Sequence, residues 1–256
     1  VTSLISDGIR FAFGTLSVLP VRVSRWDREA ARAGMLCAPL VGLVVGGCAA
    51  AVGAAFVLLG AGPLVAAVAT AAVPAVLTRG LHLDGVADVA DGLGSARAPE
   101  QALRIMKQSD IGPFGVITLL FVLLAQVAAL ASLYGEGWAH GAAGAVLAGV
   151  TARLALTLAS RTDVPAARPE GLGAMVAGTV PEGVATGVAA VLGAGLAVVG
   201  GLIGDFRHAA GLVVGLAAAE LMLRHCVRRF GGVTGDVFGA VAEVATVGAL
   251  VTLTVG

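Results

Sequence analysis

GLHLDGVADVADGLGS, residues 80–95, sets three aspartates among glycines and small apolar side chains. Asp84, Asp88 and Asp91 are spaced i, i+4 and i+7. At about 100° per helical residue they share one face, within roughly a 60° arc and over about 10 Å. The residues between them, Val86, Ala87, Val89 and Ala90, are apolar, so the pattern predicts a helix with one acidic stripe lying against hydrocarbon. Carboxylates this close repel one another, and near a bilayer each costs about 3 kcal/mol if left unpaired. The stripe therefore calls for a compensating cation, most simply a divalent metal with oxygen ligands. A solvated helix face is the bland alternative, disfavoured by the apolar run that ends directly before the stripe.

Outward from this segment the chain is hydrocarbon. Of 256 residues, 58% are hydrophobic and 12% charged, and the mean hydropathy is +0.97; soluble domains carry about a quarter charged residues. A soluble helical protein would need polar helix faces toward water, and long stretches here offer none. The expected fold class is all-α, a polytopic integral membrane helical bundle. Apolar runs at 34–59, 62–78, 111–133, 141–159, 183–203, 209–223 and 237–256 predict about seven transmembrane helices. Most approach the roughly 20 residues a span needs, whereas 62–78 and 209–223 are short enough to be partly re-entrant. The first run is too long for a signal-peptide core and is expected to be retained. With no internal repeat and no low-complexity linker, residues 1–256 read as one membrane domain.

Net charge is zero, but the basic residues are unevenly placed. With the N-terminus cytoplasmic, Arg10, Arg22, Arg25, Arg28 and Arg32 lie inside, followed by Arg79, Arg97, Arg104 and Lys107, then Arg161 and Arg168, then Arg224, Arg228 and Arg229. Arg207 alone lies outside, a strong positive-inside bias that puts the aspartate segment on the cytoplasmic side. The loop YGEGWAH, with Tyr134 and Trp138, reads as an interfacial aromatic anchor on the other side. Cys37, Cys48 and Cys226 read as buried and inert, with Cys226 in a basic loop.

Three cytoplasmic segments carry the chemistry. The first, about 79–110, holds Asp84, Asp88, Asp91, Glu100 and Asp110 beside four basic residues. The aspartate helix should end near Gly92 and Gly94, with a second short helix starting at Pro99 and carrying Arg104 and Lys107 on one face. Metal ligands next to phosphate-binding cations are what phosphoryl transfer requires; contact with anionic lipid headgroups is the other reading of the two cations. His82 can donate to a phosphate or simply lie at the interface. In the second segment, RRFGGVTGDVFGA at 228–240, Asp236 can complete the metal shell or cap the last helix, and Thr234 and Gly235 can present amides to phosphate. Glu220 and Glu243, inside apolar runs, each can pair with an arginine such as Arg153 or Arg224. The third segment, 160–176, holds Arg161, Asp163 and Arg168 and reads as a loop able to rim the substrate site.

The strings GLHLDGVADVADGLGS, RIMKQSDIGPFGVI (104–117) and GGVTGDVFGA (231–240), with FGTLSVLPV near the N-terminus, resemble the signatures of the cobalamin synthase, or adenosylcobinamide-GDP ribazoletransferase, family. The resemblance covers essentially the whole chain. It implies a multi-pass, Mg2+-dependent enzyme of a prokaryotic cytoplasmic membrane that joins adenosylcobinamide-GDP to α-ribazole, or its 5′-phosphate, and releases GMP. Asp84, Asp88, Asp91 and Asp236 match motif positions and become the implied metal ligands. Asp84, Asp88 and Asp91 are the implied catalytic set, Asp91 being one choice of proton acceptor. Arg104, Lys107 and Ser109 match the second string and would hold the diphosphate, with His82, Thr234 and Gly235 as further phosphate contacts. The chain departs at Ser17 and Val18, where many relatives carry a threonine-arginine pair, so the N-terminal segment is left out of the site. The two substrates and the lipid bilayer are the expected partners, with no nucleic acid; a homo-oligomer is left open.

Two other classes fit less well. The aspartate motif of CDP-alcohol phosphotransferases shares Asp88, Asp91 and Gly92, but Ala96 and Arg97 arrive one residue late and the later aspartate pair is absent. An ion-coupled transporter would use acids within its spans and often a repeated half, whereas the acids here cluster at a loop.

Overall fold

The structure is a computed structural model describing residues 2–255. The helices are α1 (Thr2–Leu16), α2 (Arg28–Leu58), α3 (Pro63–Leu77), α4 (Leu81–Gly94), α5 (Pro99–Ile105), α6 (Pro113–Glu136), α7 (Trp138–Ala159), α8 (Leu172–Val176), α9 (Glu182–Ile203), α10 (Arg207–Phe230) and α11 (Gly235–Leu253). Among the described residues there is no strand, only isolated bridges joining Arg161 to Val180 and Ala166 to Val233.

Six helices, α2, α6, α7, α9, α10 and α11, are long and apolar enough to cross a membrane. The seventh expected span is the short α3. Its 15 residues reach about 22 Å at 1.5 Å per residue, less than the roughly 30 Å hydrocarbon core. Helix α4 does not continue it: the two are bent by 88°. The bend comes from consecutive left-handed residues, Arg79 at φ 54° and Gly80 at φ 70°. Glycine adopts that conformation freely, while Arg79 holds it against a steric cost. The acidic helix is thereby laid across the end of the bundle rather than driven through it.

Helix α10 runs well past the apolar stretch that predicted it, because Arg224, Arg228 and Arg229 continue its pattern to Phe230; Cys226 is a buried helical residue rather than part of a loop. Cys37 is only partly buried and Cys48 is exposed on the apolar outer surface. Tyr134 is likewise no interfacial anchor. It is 2% exposed, and its hydroxyl lies 2.8 Å from Thr70 Oγ1 between α3 and α6. Trp138 remains exposed.

At the centre, α2 and α7 touch through their backbones. A Cβ built on Gly42 would lie 2.2 Å from the carbonyl oxygen of Gly149, and one on Gly149 would lie 2.5 Å from that of Gly42. With lipid as the solvent there is little hydrophobic drive between helices, so close small-residue packing supplies much of the association. A second fastening joins α4 to α6. The Asp91 carboxylate, 9% exposed, accepts hydrogen bonds from Gly112 N (Oδ2, 2.7 Å) and Gly115 N (Oδ1, 3.0 Å). These are among the four amides at the start of α6 that have no partner within the helix, and a carboxylate also suits the positive end of the helix dipole. Gly112 and Gly115 have no side chain where that carboxylate sits: a Cβ on either would come within 2.6 Å of an Asp91 oxygen.

Gly42→Val forces branched carbon into a backbone contact and should lower the melting temperature in detergent by at least several degrees, overpacking costing about 1–3 kcal/mol or more. Asp91→Ala leaves buried amides unsatisfied at about 1–3 kcal/mol. It should destabilise the fold more than Asp84→Ala, whose parent side chain is exposed; equal melting temperatures for these two variants would contradict the capping role.

Candidate active site

Helix α4 carries its acidic face to a cleft of about 560 Å3, whose lining includes Asp84, Asp88, Arg79, Gln108, Ser109 and Asp110. Asp84 is exposed and Asp88 half-buried. On its other side α4 presses on the first turns of α11. A Cβ on Gly85 would lie 2.6 Å from the Asp236 carbonyl oxygen, and one on Gly239 would lie 3.0 Å from the His82 backbone. Only glycine permits that approach, and it brings Asp236 into the field of Asp84 and Asp88.

Asp236 does not cap α11. Thr234 does: its Oγ1 accepts from Val237 N at 3.3 Å and donates to Asp236 Oδ2 at 3.1 Å. Thr234 is 4% exposed, so its hydroxyl is occupied in orienting Asp236 rather than offered to a phosphate. Gly235 is exposed at the first turn. Arg168 lies 3.8 Å from Asp236 Oδ2 and donates to the Leu103 carbonyl, tying the 160–181 loop to the end of α5. This is the nearest cation to the carboxylates, whereas the sequence supports only a place at the rim, its loop sharing a side with the aspartates. Arg79, one of the four basic residues of the 79–110 segment, also lies in the cleft lining.

The remaining expected site residues divide. Ser109 lines the cleft, while Arg104 and Lys107 stand outside its lining, both exposed. Lys107 falls beyond the end of α5, so the two cations do not share a helical face. The charge of Lys107 nonetheless acts on Asp236. His82 turns into the bundle. It is 4% exposed, its Nδ1 is 4.0 Å from Glu243 Oε1, and Glu243 Oε2 accepts from Gln126 Nε2 at 2.6 Å. Arg153 lies in the same buried cluster, 3% exposed, and its Nε and one terminal nitrogen have no hydrogen-bond partner. His82 is thereby removed from the phosphate contacts and placed in a buried polar network. Glu220 pairs with Arg161 at 2.9 Å and Arg224 at 2.7 Å, a structural role.

Asp91 is also withdrawn from the shared set. Its two oxygens are engaged by the amides of α6. Asp88 is the carboxylate left under stress. Burial, then the neighbouring charges of Asp236, Asp84 and Asp91, push its carboxyl up to about 7, with Arg168 opposing. Among the described residues no three Asp, Glu, His or Cys side chains converge into a closed metal cage. The arrangement is an open patch of hard oxygen donors with an excess of negative charge. Such a patch suits a cation that takes one or two carboxylates and completes its shell with water and substrate phosphate, as Mg2+ commonly does.

Comparison with known proteins bears on what the patch acts upon. The chain matches the cobalamin-5-phosphate synthase family over residues 8–254. It is 41% identical to a Frankia casuarinae protein named adenosylcobinamide-GDP ribazoletransferase, over 95% of this chain and 93% of that protein. It is 42% identical to a Nocardioides protein of the same name, over 93% and 94% of the two chains, and 38% identical to one from Pseudomonas aeruginosa, again over 93% and 94%. No solved structure matches. With the match running nearly end to end and including all three motif strings, the chain belongs to the cobalamin-5-phosphate synthase family.

Proposed function

We propose that the protein is a membrane-embedded adenosylcobinamide-GDP ribazoletransferase, joining adenosylcobinamide-GDP to α-ribazole or its 5′-phosphate. The observation that carries this reading is the juxtaposition of Asp84, Asp88 and Asp236 beside a polar cleft at one end of an apolar bundle. The relatives' names supply the substrate class. The basic residues flanking α2, α5 and α10 favour a cytoplasmic orientation for that end, in the inner membrane of a prokaryote, where nucleotides are available. Within this one membrane domain, residues 79–110 are the catalytic segment.

In the reaction an acceptor hydroxyl of the riboside attacks the phosphorus attached to cobinamide. The new oxygen–phosphorus bond forms, the bond from that phosphorus to the bridging oxygen breaks, and GMP departs with the bridging oxygen. The hydroxyl proton needs a recipient. Asp88 is placed for it, half-buried in the lining of the cleft beside Asp84, since a general base must stand within hydrogen-bond reach of the proton it takes. Asp84 and Asp236 are the residues that would hold Mg2+, and a divalent cation supplies charge neutralisation for the diphosphate oxygens. Arg168 and Lys107 add positive charge from the protein side, and Ser109 offers a hydroxyl within the cleft. Arg168 is anchored by Leu103 and balanced by Asp236, so it is oriented before substrate arrives.

Asp88→Asn should abolish GMP release from adenosylcobinamide-GDP in detergent-solubilised protein, with normal membrane insertion; retained turnover would remove Asp88 from the mechanism. A second outcome follows from the raised titration of Asp88. Its folded-state pKa, about 7 against the ordinary 3.8, lies above the unfolded value, so the ionised group costs stability above pH 7. That cost is lost as pH falls through about 7 toward 4. After allowance for solvent screening of a half-exposed group it is about 1 kcal/mol, or roughly 2–4 °C. In metal-free buffer Asp88→Asn should therefore melt higher than the parent at pH 8 and at the same temperature near pH 4; no difference at pH 8 would contradict the electrostatic picture.

A further inference from the structure

Arg79 stands at the bend between α3 and α4, in the lining of the polar cleft. Its backbone is held at φ 54°, a left-handed conformation that is costly for any residue with a Cβ. Glycine would remove that cost and asparagine would ease it, and strain of this kind persists where the surrounding structure and the function require it. Ala96 is held similarly at φ 51°, yet it carries no functional group and lies outside the cleft lining, so backbone strain alone decides nothing. What sets Arg79 apart is its chemistry. Its side chain is exposed, and it is the one cation in a lining that also holds Asp84, Asp88 and Asp110. It nevertheless joins none of the ion pairs found among the described residues.

Other arginines at this end of the bundle are committed. Arg168 is balanced by Asp236 and bonded to Leu103, Arg161 and Arg224 share Glu220, and Arg229 donates to the Arg97 carbonyl. Arg79 and the carboxylates line one cleft without meeting, and at about 560 Å3 that cleft is within the roughly 300–1,000 Å3 of small-molecule sites. A lining of this composition selects its ligand. Three carboxylates repel a bare anion, which disfavours a lipid phosphate or a free phosphate monoester, while an open guanidinium has no use for a bare cation. A phosphate chelated to a divalent cation satisfies both: the metal meets the carboxylates, and the oxygens it leaves free meet the arginine. A diphosphate suits this better than a single phosphate, because it has oxygens on two phosphorus atoms to divide between the metal and the planar guanidinium fork.

We propose that Arg79 is a substrate-binding residue, its guanidinium donating to non-bridging oxygens of the metal-chelated diphosphate in the donor nucleotide ester. The assignment rests on the transferase reading above, and it accounts for an arginine at a position whose backbone favours glycine. It carries a distinctive demand: loss of the side chain lowers affinity without lowering stability.

The test uses full-length protein in detergent, with GDP and Mg2+ as the binding probe. Unphosphorylated α-ribazole is the acceptor in turnover, so that the donor is the only substrate bearing phosphate. By titration calorimetry, GDP affinity in the presence of Mg2+ should fall at least about tenfold in Arg79→Asn and in Arg79→Gly, as expected for loss of a charge-assisted contact. Arg79→Lys, which keeps the charge but not the fork, should recover part of it. KM for adenosylcobinamide-GDP should rise by a similar factor in Arg79→Asn while KM for α-ribazole stays within about twofold. Melting temperatures of Arg79→Asn and Arg79→Gly should equal or exceed that of the parent, because the backbone is eased. Unchanged GDP affinity and donor KM in folded Arg79→Asn would overturn the assignment. So would a melting temperature that falls together with affinity in both variants, the mark of a structural role, or a defect seen only in vesicles containing phosphatidylglycerol, the mark of a headgroup contact. Failure of the parent to release GMP from adenosylcobinamide-GDP would instead sink the transferase reading, and the GDP titration would still decide whether Arg79 holds a diphosphate.

Discussion

Helix α4 has to keep three aspartates at the edge of a hydrocarbon bundle, and the surrounding structure is arranged around that requirement. It leaves the direction of α3 through an 88° bend, so its acidic face meets a polar cleft instead of lipid. Its far end is fixed because Asp91 spends its charge on the amides of α6. Its near end is fixed because Gly85 and Gly239 let α4 and α11 approach through their backbones. Between these two fastenings, Asp84 and Asp88 have no comparable commitment, and Asp236 is delivered to them from α11. One aspartate buys the rigidity with which the other three are held.

The three motif strings are thus one physical object. Gly92 and Gly94 of the first would clash with Met106 and Phe114 of the second if either carried a Cβ, and Gly112 and Gly115 of the second make room for Asp91 of the first. The third string supplies Asp236, the threonine that orients it, and the glycine that lets α4 in. The density of glycine in these segments comes from close approach as well as from turns. It places donor atoms with little side-chain entropy to lose, which is how a chain with few charged residues assembles a charged site.

Much of this was legible in the sequence. Hydropathy is a local, additive property, so the six long spans emerged from it directly, while glycine and proline signals placed the end of α4 and the start of α5. The i, i+4, i+7 spacing placed the aspartates on one face for the same reason. What could not be read depends on which partner each side chain meets. Asp91 lies on the same stripe as Asp84, yet nothing local says that the start of α6 will claim it. Tyr134 reads as an interfacial residue, yet Thr70 supplies it a buried partner, and His82 reads as able to reach a phosphate, yet it is buried in the bundle near Glu243. Arg168 shows the converse: an ordinary loop arginine by sequence, it becomes the cation nearest the carboxylates once the loop folds over α5. The length of α10 was underestimated because a span ends where apolar residues stop, whereas a helix continues until its backbone is capped.

The account depends most on the negative patch being a receptor for a divalent cation, and the most direct measurement is a Mn2+ titration of the detergent-purified protein followed by electron paramagnetic resonance, with and without a nucleoside diphosphate ester. Mn2+ should bind with its affinity raised by the diphosphate, and the joint change Asp84→Asn and Asp236→Asn should remove that binding. Undiminished Mn2+ binding in the doubly neutralised protein, or no binding to the parent even with the diphosphate present, would contradict the account.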